Sequence, residues 1–239
     1  MTRMDPPTAI GPQAYLSWRA ASLGAITEEL EQRQVMDMMG ELFGRRVLDA
    51  GCGDGALVRA AASRGADVTG IDTDPAMLAV ARSRAAQAGL HATFMEGPVE
   101  RLPFPNASFD VVVSITVLCF VADAAGAVRE MVRVLRPGGR LVLGKLGRWN
   151  VWAMRRRVRG WLGSATWKAA RFRTASELRA LAKGAGLSVT AIRGAVYYPP
   201  VGFLARLLAP IDSRLGRLTT FGAAFIALSA VRIDEHRKE

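Results

Sequence analysis

A run of strand-forming residues over 46–50 stops at three alternating glycines, Gly51, Gly53 and Gly55, and a helical pattern starts at once. No other feature limits the fold as strongly. A strand that ends in a nearly bare backbone turn and feeds a helix is the opening of a β–α–β unit. The rest of the unit follows. A strand pattern covers 67–71, and a helix covers 75–88 with Pro75 in its first turn. Strands are then expected at 92–95, 109–115 and 140–145, with a helix at 124–135 halted by Pro137-Gly138-Gly139. Such alternation predicts an α/β, doubly wound Rossmann-like fold with a mostly parallel sheet and right-handed crossovers.

The pattern changes after 147. Residues 148–173 are basic and rich in tryptophan, and 174–184 read as a helix with Thr174 as N-cap and Glu177 closing a capping box. Final strands are expected at 187–197 and 221–231, which brings the sheet to seven. Upstream, 11–43 is weakly periodic and reads as one or two helices. A chain of 239 residues, half of them hydrophobic, suits one core and one domain. The first residues lack the apolar stretch of a secretory signal. The longest apolar runs, 111–122 and 221–231, fall short of the ~20 residues of a membrane span. Only Cys52 and Cys119 are present, and no Cys/His cluster has metal-ligand spacing, so neither a disulfide scaffold nor a metal site is expected. The expected setting is cytoplasmic.

What the glycine turn holds follows from its neighbours. Ligands of doubly wound sheets sit beyond the carboxyl ends of the strands, where backbone without side chains lets them approach. Asp72 ends the second strand 21 residues after Gly51, where a carboxylate accepts both hydroxyls of a ribose. An adenosine-containing ligand is the first inference. Gly51-x-Gly53-x-x-Ala56 also satisfies the dinucleotide fingerprint, so a nicotinamide cofactor competes. Asp49 weighs against it, because a carboxylate two residues before the first glycine would face a pyrophosphate. S-adenosylmethionine (SAM), with a sulfonium and an ammonium and no phosphate, gains from that acid.

With these residues in hand a family resemblance emerges. "VLDAGCGDG" resembles the first motif of class I SAM-dependent methyltransferases, and "GIDTDPAMLAVAR" the second. "RLPFPNASFDVVVSITVL" is similar to the third and fourth, and "REMVRVLRPGGRLVLGKLG" to the fifth. The likeness covers about 45–147 and is nearest to small-molecule enzymes such as the quinone-biosynthesis C-methyltransferases. It implies SAM as cofactor and a sheet whose last strand is antiparallel. It also implies an N-terminal helical lid over 1–44, a SAM-binding core over 45–147, a basic substrate cap over 148–185 and closing strands over 186–239.

Carried onto this chain, the resemblance puts Gly51, Cys52 and Gly53 under the methionine part, Asp49 near the ammonium and Asp72 on the ribose. Thr73 and Met77 would border the adenine, Ser114 and Ile115 would face the cofactor, and Tyr15 and Arg19 would close over its carboxylate. The chain departs from the family at Gly97-Pro98-Val99, where relatives carry an acid for the adenine amino group. Pro98 offers neither carboxylate nor N–H, which leaves adenine to the Val99 backbone.

Methyl transfer from a sulfonium mostly requires alignment and exclusion of water, and positioning alone supplies ~7–11 kcal/mol. A general base is needed only for a protonated acceptor, and the sequence names none. His91 and His236 read as structural and tail residues. Tyr197 and Tyr198, in "AVYYPP", are the candidates that could reach an acceptor. "SITV" after the fourth strand is not the turn of amino-methylating DNA enzymes. Cys119 lacks the preceding proline of cytosine-C5 enzymes, and the acids of metal-dependent catechol chemistry are missing.

The basic segment bears on partners. Residues 131–176 carry twelve Lys/Arg and no acid, while the rest of the chain is nearly neutral. In "RWNVWAMRRRVRGWLG", apolar Val151, Met154, Val158 and Trp161/Leu162 form one helical stripe, with Arg155, Arg156, Arg157 and Arg159 off it. The favoured arrangement packs this stripe on the sheet and leaves the arginines in water. Alternatives are an anionic membrane surface, as for a peripheral lipid or quinone methyltransferase, or nucleic acid, as for an RNA methyltransferase or RNA-binding protein. The expected acceptor is a small organic molecule, apolar or anionic.

Overall fold

The computed structural model describes residues 17–233. Tyr15 and His236 lie outside them. The seven strands are β1 (Arg46–Ala50), β2 (Asp67–Asp72), β3 (Thr93–Glu96), β4 (Phe109–Ile115), β5 (Leu135–Leu146), β6 (Leu187–Ala195) and β7 (Phe225–Arg232). They form one sheet in the order β3-β2-β1-β4-β5-β7-β6. The first five are mutually parallel, and β7 runs antiparallel between β5 and β6. Direction of winding reverses between β1 and β4, so the crevice expected of a doubly wound sheet opens at their carboxyl ends.

Among the described residues, helices that flank the sheet are α1 (Ser22–Met39), α2 (Ala56–Ala62), α3 (Pro75–Gln87), α4 (Ala124–Val134), α5 (Val151–Trp161), α6 (Ala165–Ala169), α7 (Ala175–Gly184) and α8 (Gly202–Leu218). The strands are apolar on both sides, which is why two layers of helix cover them. Val47, Val111, Val113 and Val142 pack with Met36 and Met39 of α1, Val58 of α2 and Leu78 of α3. On the other face Leu48, Val112, Leu141 and Leu143 pack with Val128 and Met131 of α4 and Leu178 of α7. Each such buried side chain is worth ~1.5–3 kcal/mol.

Several expectations change. Pro137-Gly138-Gly139 does not separate helix from strand. β5 begins at Leu135, directly after α4, and the turn residues bulge out of the ladder between the pairs Phe109↔Leu135 and Val111↔Arg140. The helix α8 was not anticipated, although Phe203, Leu207, Leu208, Ile211 and Leu215 recur at helical spacing, because Pro210 interrupts the run. Asp212 of α8 is buried and accepts from the N–H groups of Val196 (2.9 Å) and Tyr197 (2.8 Å), which ends β6 two residues before the expected limit. The helix α1 is no mere lid, since it packs along β5, β6, β7 and α8. α7, assigned to the cap from sequence, lies against β6 and α4.

The largest correction concerns α5. Its apolar stripe faces outward, with Trp161 94% and Leu162 82% exposed, and Val151, Met154 and Val158 exposed as well. The helix buries Trp152, Ala153 and Gly160 instead. Of its four arginines, Arg155, Arg157 and Arg159 are exposed, whereas Arg156 turns inward.

Candidate functional site

The turn after β1 is built from left-handed backbone at Gly51 (φ 87°) and Gly53 (φ 50°). The N–H groups of Gly51 and Cys52 both donate to the Ile71 carbonyl, at 2.7 and 3.0 Å, so the turn folds onto the end of β2. The two glycines differ in what surrounds them. A Cβ on Gly51 would lie 2.1 Å from Val117 Cγ2, in the turn after β4, so this glycine exists for protein packing. A Cβ on Gly53 would meet nothing within 4 Å. Gly53 therefore borders open space, as a backbone platform for a ligand must.

Three acids surround this platform, each in a different state. Asp72 is fixed: Oδ2 accepts from the Gly53 N–H at 2.7 Å and Oδ1 from the Asp74 N–H at 3.0 Å, which leaves its outer lone pairs for hydroxyl donors. Asp54 is neutralised by ion pairs with Arg19 and Arg84. Asp49 is buried on β1 and has no hydrogen-bond or ion-pair partner among the described residues. Burial, followed by the charges of Asp72 and Asp54, raises its pKa to about 8. A buried carboxylate without a partner is unfavourable until a cation reaches it.

That donor set fits SAM and not a pyrophosphate. Asp49 would hold the ammonium, Asp72 the ribose hydroxyls, and the Gly53 backbone would lie beneath the methionine portion. No basic side chain stands in the turn to receive phosphate, and Arg19 and Arg84 are already engaged by Asp54.

Comparison with known proteins agrees. A methyltransferase domain family matches residues 48–143. The chain is 38% identical over 170 residues to a ubiquinone biosynthesis O-methyltransferase of Idiomarina loihiensis, covering 68% of this chain and 70% of that protein. The chain belongs to the class I SAM-dependent methyltransferases. Its relatives include a demethylmenaquinone methyltransferase of Thermus thermophilus, 40% identical over 136 residues, with 56% of this chain and 61% of that protein covered. A SAM-dependent methyltransferase of Thermotoga maritima has the same fold, with TM-score 0.68 at 22% identity over 92% of this chain and 95% of that one.

The remaining sequence candidates of this methyltransferase divide into two groups. Around the expected nucleoside position, Thr73 is exposed and Met77 is buried at the start of α3, whose N-cap Asp74 accepts from the N–H groups of Ala76 and Met77. The Gly97 N–H donates to the Asp72 carbonyl at 3.0 Å, which holds exposed Pro98 and buried Val99 beside the end of β2. Two residues have protein partners instead of an open approach. Ser114 is buried and its hydroxyl donates to the Ala50 carbonyl at 2.8 Å, bracing β1 against β4. Cys52 packs under the turn, with its thiol pKa pushed up by burial. Arg19 pairs with Glu28 and Asp54, so it straps the segment before α1 to the glycine turn.

Tyr197 and Tyr198 lie just past β6, and both phenols are engaged. The Tyr197 hydroxyl donates to the Thr219 carbonyl. The Tyr198 hydroxyl shares a 3.0 Å hydrogen bond with Thr27 Oγ1 of α1, and its carbonyl accepts from Trp152 Nε1 at 2.7 Å. Burial pushes both phenols up to about 12, so they stay protonated at neutral pH.

Two charged groups with shifted pKa values were not singled out from sequence. Lys145 on β5 is buried, and its Nζ donates to the Leu118 carbonyl at 2.8 Å, fixing the turn after β4. Burial lowers its pKa to about 8. Glu31 on α1 is raised to about 7, first by burial, against the pull of Arg156 and with a push from Asp212. A lysine in "LVLGKL" interrupting a buried strand was a visible signal, whereas Glu31 sits in a charged helix and carries none. Among the described residues no group of three His, Cys, Asp or Glu could hold a metal ion, and no helix is long and apolar enough to cross a membrane.

Proposed function

We propose that this enzyme methylates a small, hydroxylated aromatic acceptor of the quinone-precursor type by direct displacement, with alignment and desolvation as the main contributions of the protein. When bound, SAM supplies an electrophilic methyl group on a sulfonium centre. The chain's part is to hold that cofactor by Asp49, Asp72 and the Gly53 backbone, and to admit the acceptor from the β4–β5 side. The observation that carries the reading is Asp49, buried and unpaired beside a glycine platform. The names of the relatives favour a quinone precursor, and they differ among themselves in the acceptor. Replacing Asp72 by Ala removes the anchor of both the turn and the ribose. It is expected to weaken SAM binding about 100-fold, two charge-assisted hydrogen bonds being worth roughly 3 kcal/mol together. Tight NADH binding with no SAM affinity would contradict the assignment.

A second reading concerns where the enzyme works. The outward stripe of α5, with Arg155, Arg157 and Arg159 beside it, has the pattern of a helix lying on an anionic membrane surface. Phe203, Leu207, Ile211 and Leu218 add an exposed row on α8. Apolar side chains of this size favour lipid over an RNA backbone, to which they would contribute nothing. An acceptor with a lipid tail would be met at such a surface.

A further inference from the structure

The inward arginine of α5 is the feature that the cofactor leaves unexplained. Arg156 has its guanidinium between two indoles, with Cζ 5.4 Å from the Trp152 ring centroid and 5.0 Å from that of Trp167. Its Nη1 is buried and has no hydrogen-bond partner among the described residues. Stacking satisfies the faces of the planar cation but not its edge, and it is the edge that donates hydrogen bonds. A buried charged donor without an acceptor is costly, which calls for a ligand to complete it.

The position of this group is set by residues already described. Trp152 is held by its bond to the Tyr198 carbonyl, and Tyr198 by Thr27, so the platform under the guanidinium is rigid. Ala153 of α5 and the partly buried Trp167 pack with Cys119 of the turn after β4 and Leu146 at the end of β5. Arg156 therefore lies over the carboxyl ends of β4 and β5, on the opposite side of the switch point from Asp72. The cofactor's nucleoside occupies the β2 side in the reading above, so the β4–β5 side is where an acceptor must enter. Glu31 and Arg156 attract each other but form no ion pair within 4 Å among the described residues. Both side chains are partly buried.

We infer that Arg156 is the specificity-determining residue of the acceptor pocket, binding a carboxylate of the acceptor through its free edge while Trp152 and Trp167 hold it in place. The inference rests on the methyl-transfer reading and adds to it the chemical class of the acceptor, an aromatic acid. A bidentate or single charge-assisted bond from the guanidinium would fix the ring and with it the distance from the reacting atom to the methyl group. Seating an anion there also presents Glu31 with a second negative charge, joining that of Asp212 on α8. Glu31 would then take up a proton as the acid binds.

The test uses the full chain saturated with S-adenosylhomocysteine and titrated calorimetrically with 3,4-dihydroxybenzoate and with 3,4-dihydroxybenzamide. The wild type is expected to bind the carboxylate at least about tenfold more tightly than the amide. Arg156→Gln should abolish that preference with S-adenosylhomocysteine affinity unchanged, and Arg156→Lys should keep part of it. A third arm needs no substitution: between about pH 6.5 and 8.5 the carboxylate should lose affinity several-fold, as Glu31 becomes harder to protonate, while the amide should not. Equal affinity for the two probes, or a preference that survives in Arg156→Gln, would overturn the inference. So would loss of S-adenosylhomocysteine binding in that variant, since the guanidinium would then serve the cofactor's carboxylate or the fold. A wild type that fails to bind S-adenosylhomocysteine would instead refute the methyl-transfer reading, and the inference with it.

Discussion

Gly51 and Gly53 stand two residues apart, share a left-handed backbone and do different things. Gly51 is needed because Val117 lies against it, and Gly53 because a ligand would. Gly51→Ala combines a Cβ inside Val117 with positive φ and is expected to destabilise the fold by about 2–4 kcal/mol. Gly53→Ala bears only the backbone cost of about 1 kcal/mol, yet should weaken SAM binding at least tenfold by filling the platform. Chemical denaturation and calorimetry on the pair separate the two effects, and equal loss of stability in both would refute the distinction. The glycines, Asp49 and Asp72 were legible because their roles depend on residue type at fixed spacing. Arg156 was not, because its side depends on which face of α5 meets the sheet, and the stripe of five apolar residues pointed the wrong way.

Between elements, Asp54 is the joint that ties three of them together. It lies in the turn between β1 and α2, and its carboxylate receives Arg19 from before α1 and Arg84 from α3. Asp54→Asn leaves two part-buried guanidiniums without a counter-charge. Breaking such a pair from one side costs about 3–5 kcal/mol, and a thermal melt should register it as a drop in Tm of about 6 °C or more. A drop under about 2 °C would mean that water supports those arginines unaided. Motif residues within 45–147 were readable in order, because the alternation of strand and helix is written in local periodicity. The elements after 147 were less so. α8 is interrupted by Pro210, and the end of β6 depends on Asp212 reaching back to Val196 and Tyr197, a contact across sixteen residues at most that no local pattern records.

For the molecule as a whole, the exposed apolar stripe of α5 lies beside three exposed arginines, Arg155, Arg157 and Arg159. The excess of basic residues falls in 131–176, and α5 in that stretch exposes its apolar stripe. The enzyme is expected to float with vesicles rich in phosphatidylglycerol and not with neutral phosphatidylcholine. A variant with Met154, Trp161 and Leu162 replaced by Ser should stay in the soluble fraction while keeping its SAM affinity. Flotation unaffected by the substitutions would remove α5 from the contact, and retention by RNA that weakens steeply with salt would favour nucleic acid instead.

The cofactor crevice carries its own pH signature. Asp49 is raised to about 8, so its protonated form is preferred in the empty folded chain. Its contribution to stability is full below the unfolded carboxylate range and is lost as pH rises towards 8. Asp49→Asn should therefore raise the Tm of the empty protein near pH 8 by about 2–6 °C. Binding a cation requires the ionised acid, which means a proton must leave as SAM enters below pH 8. The decisive measurement is a calorimetric titration with SAM at pH 7 in two buffers of different ionisation enthalpy. One-to-one binding that releases close to one proton in the wild type and none in Asp49→Asn is the predicted result. Absence of binding, or binding of equal strength and no proton release in both proteins, would contradict it.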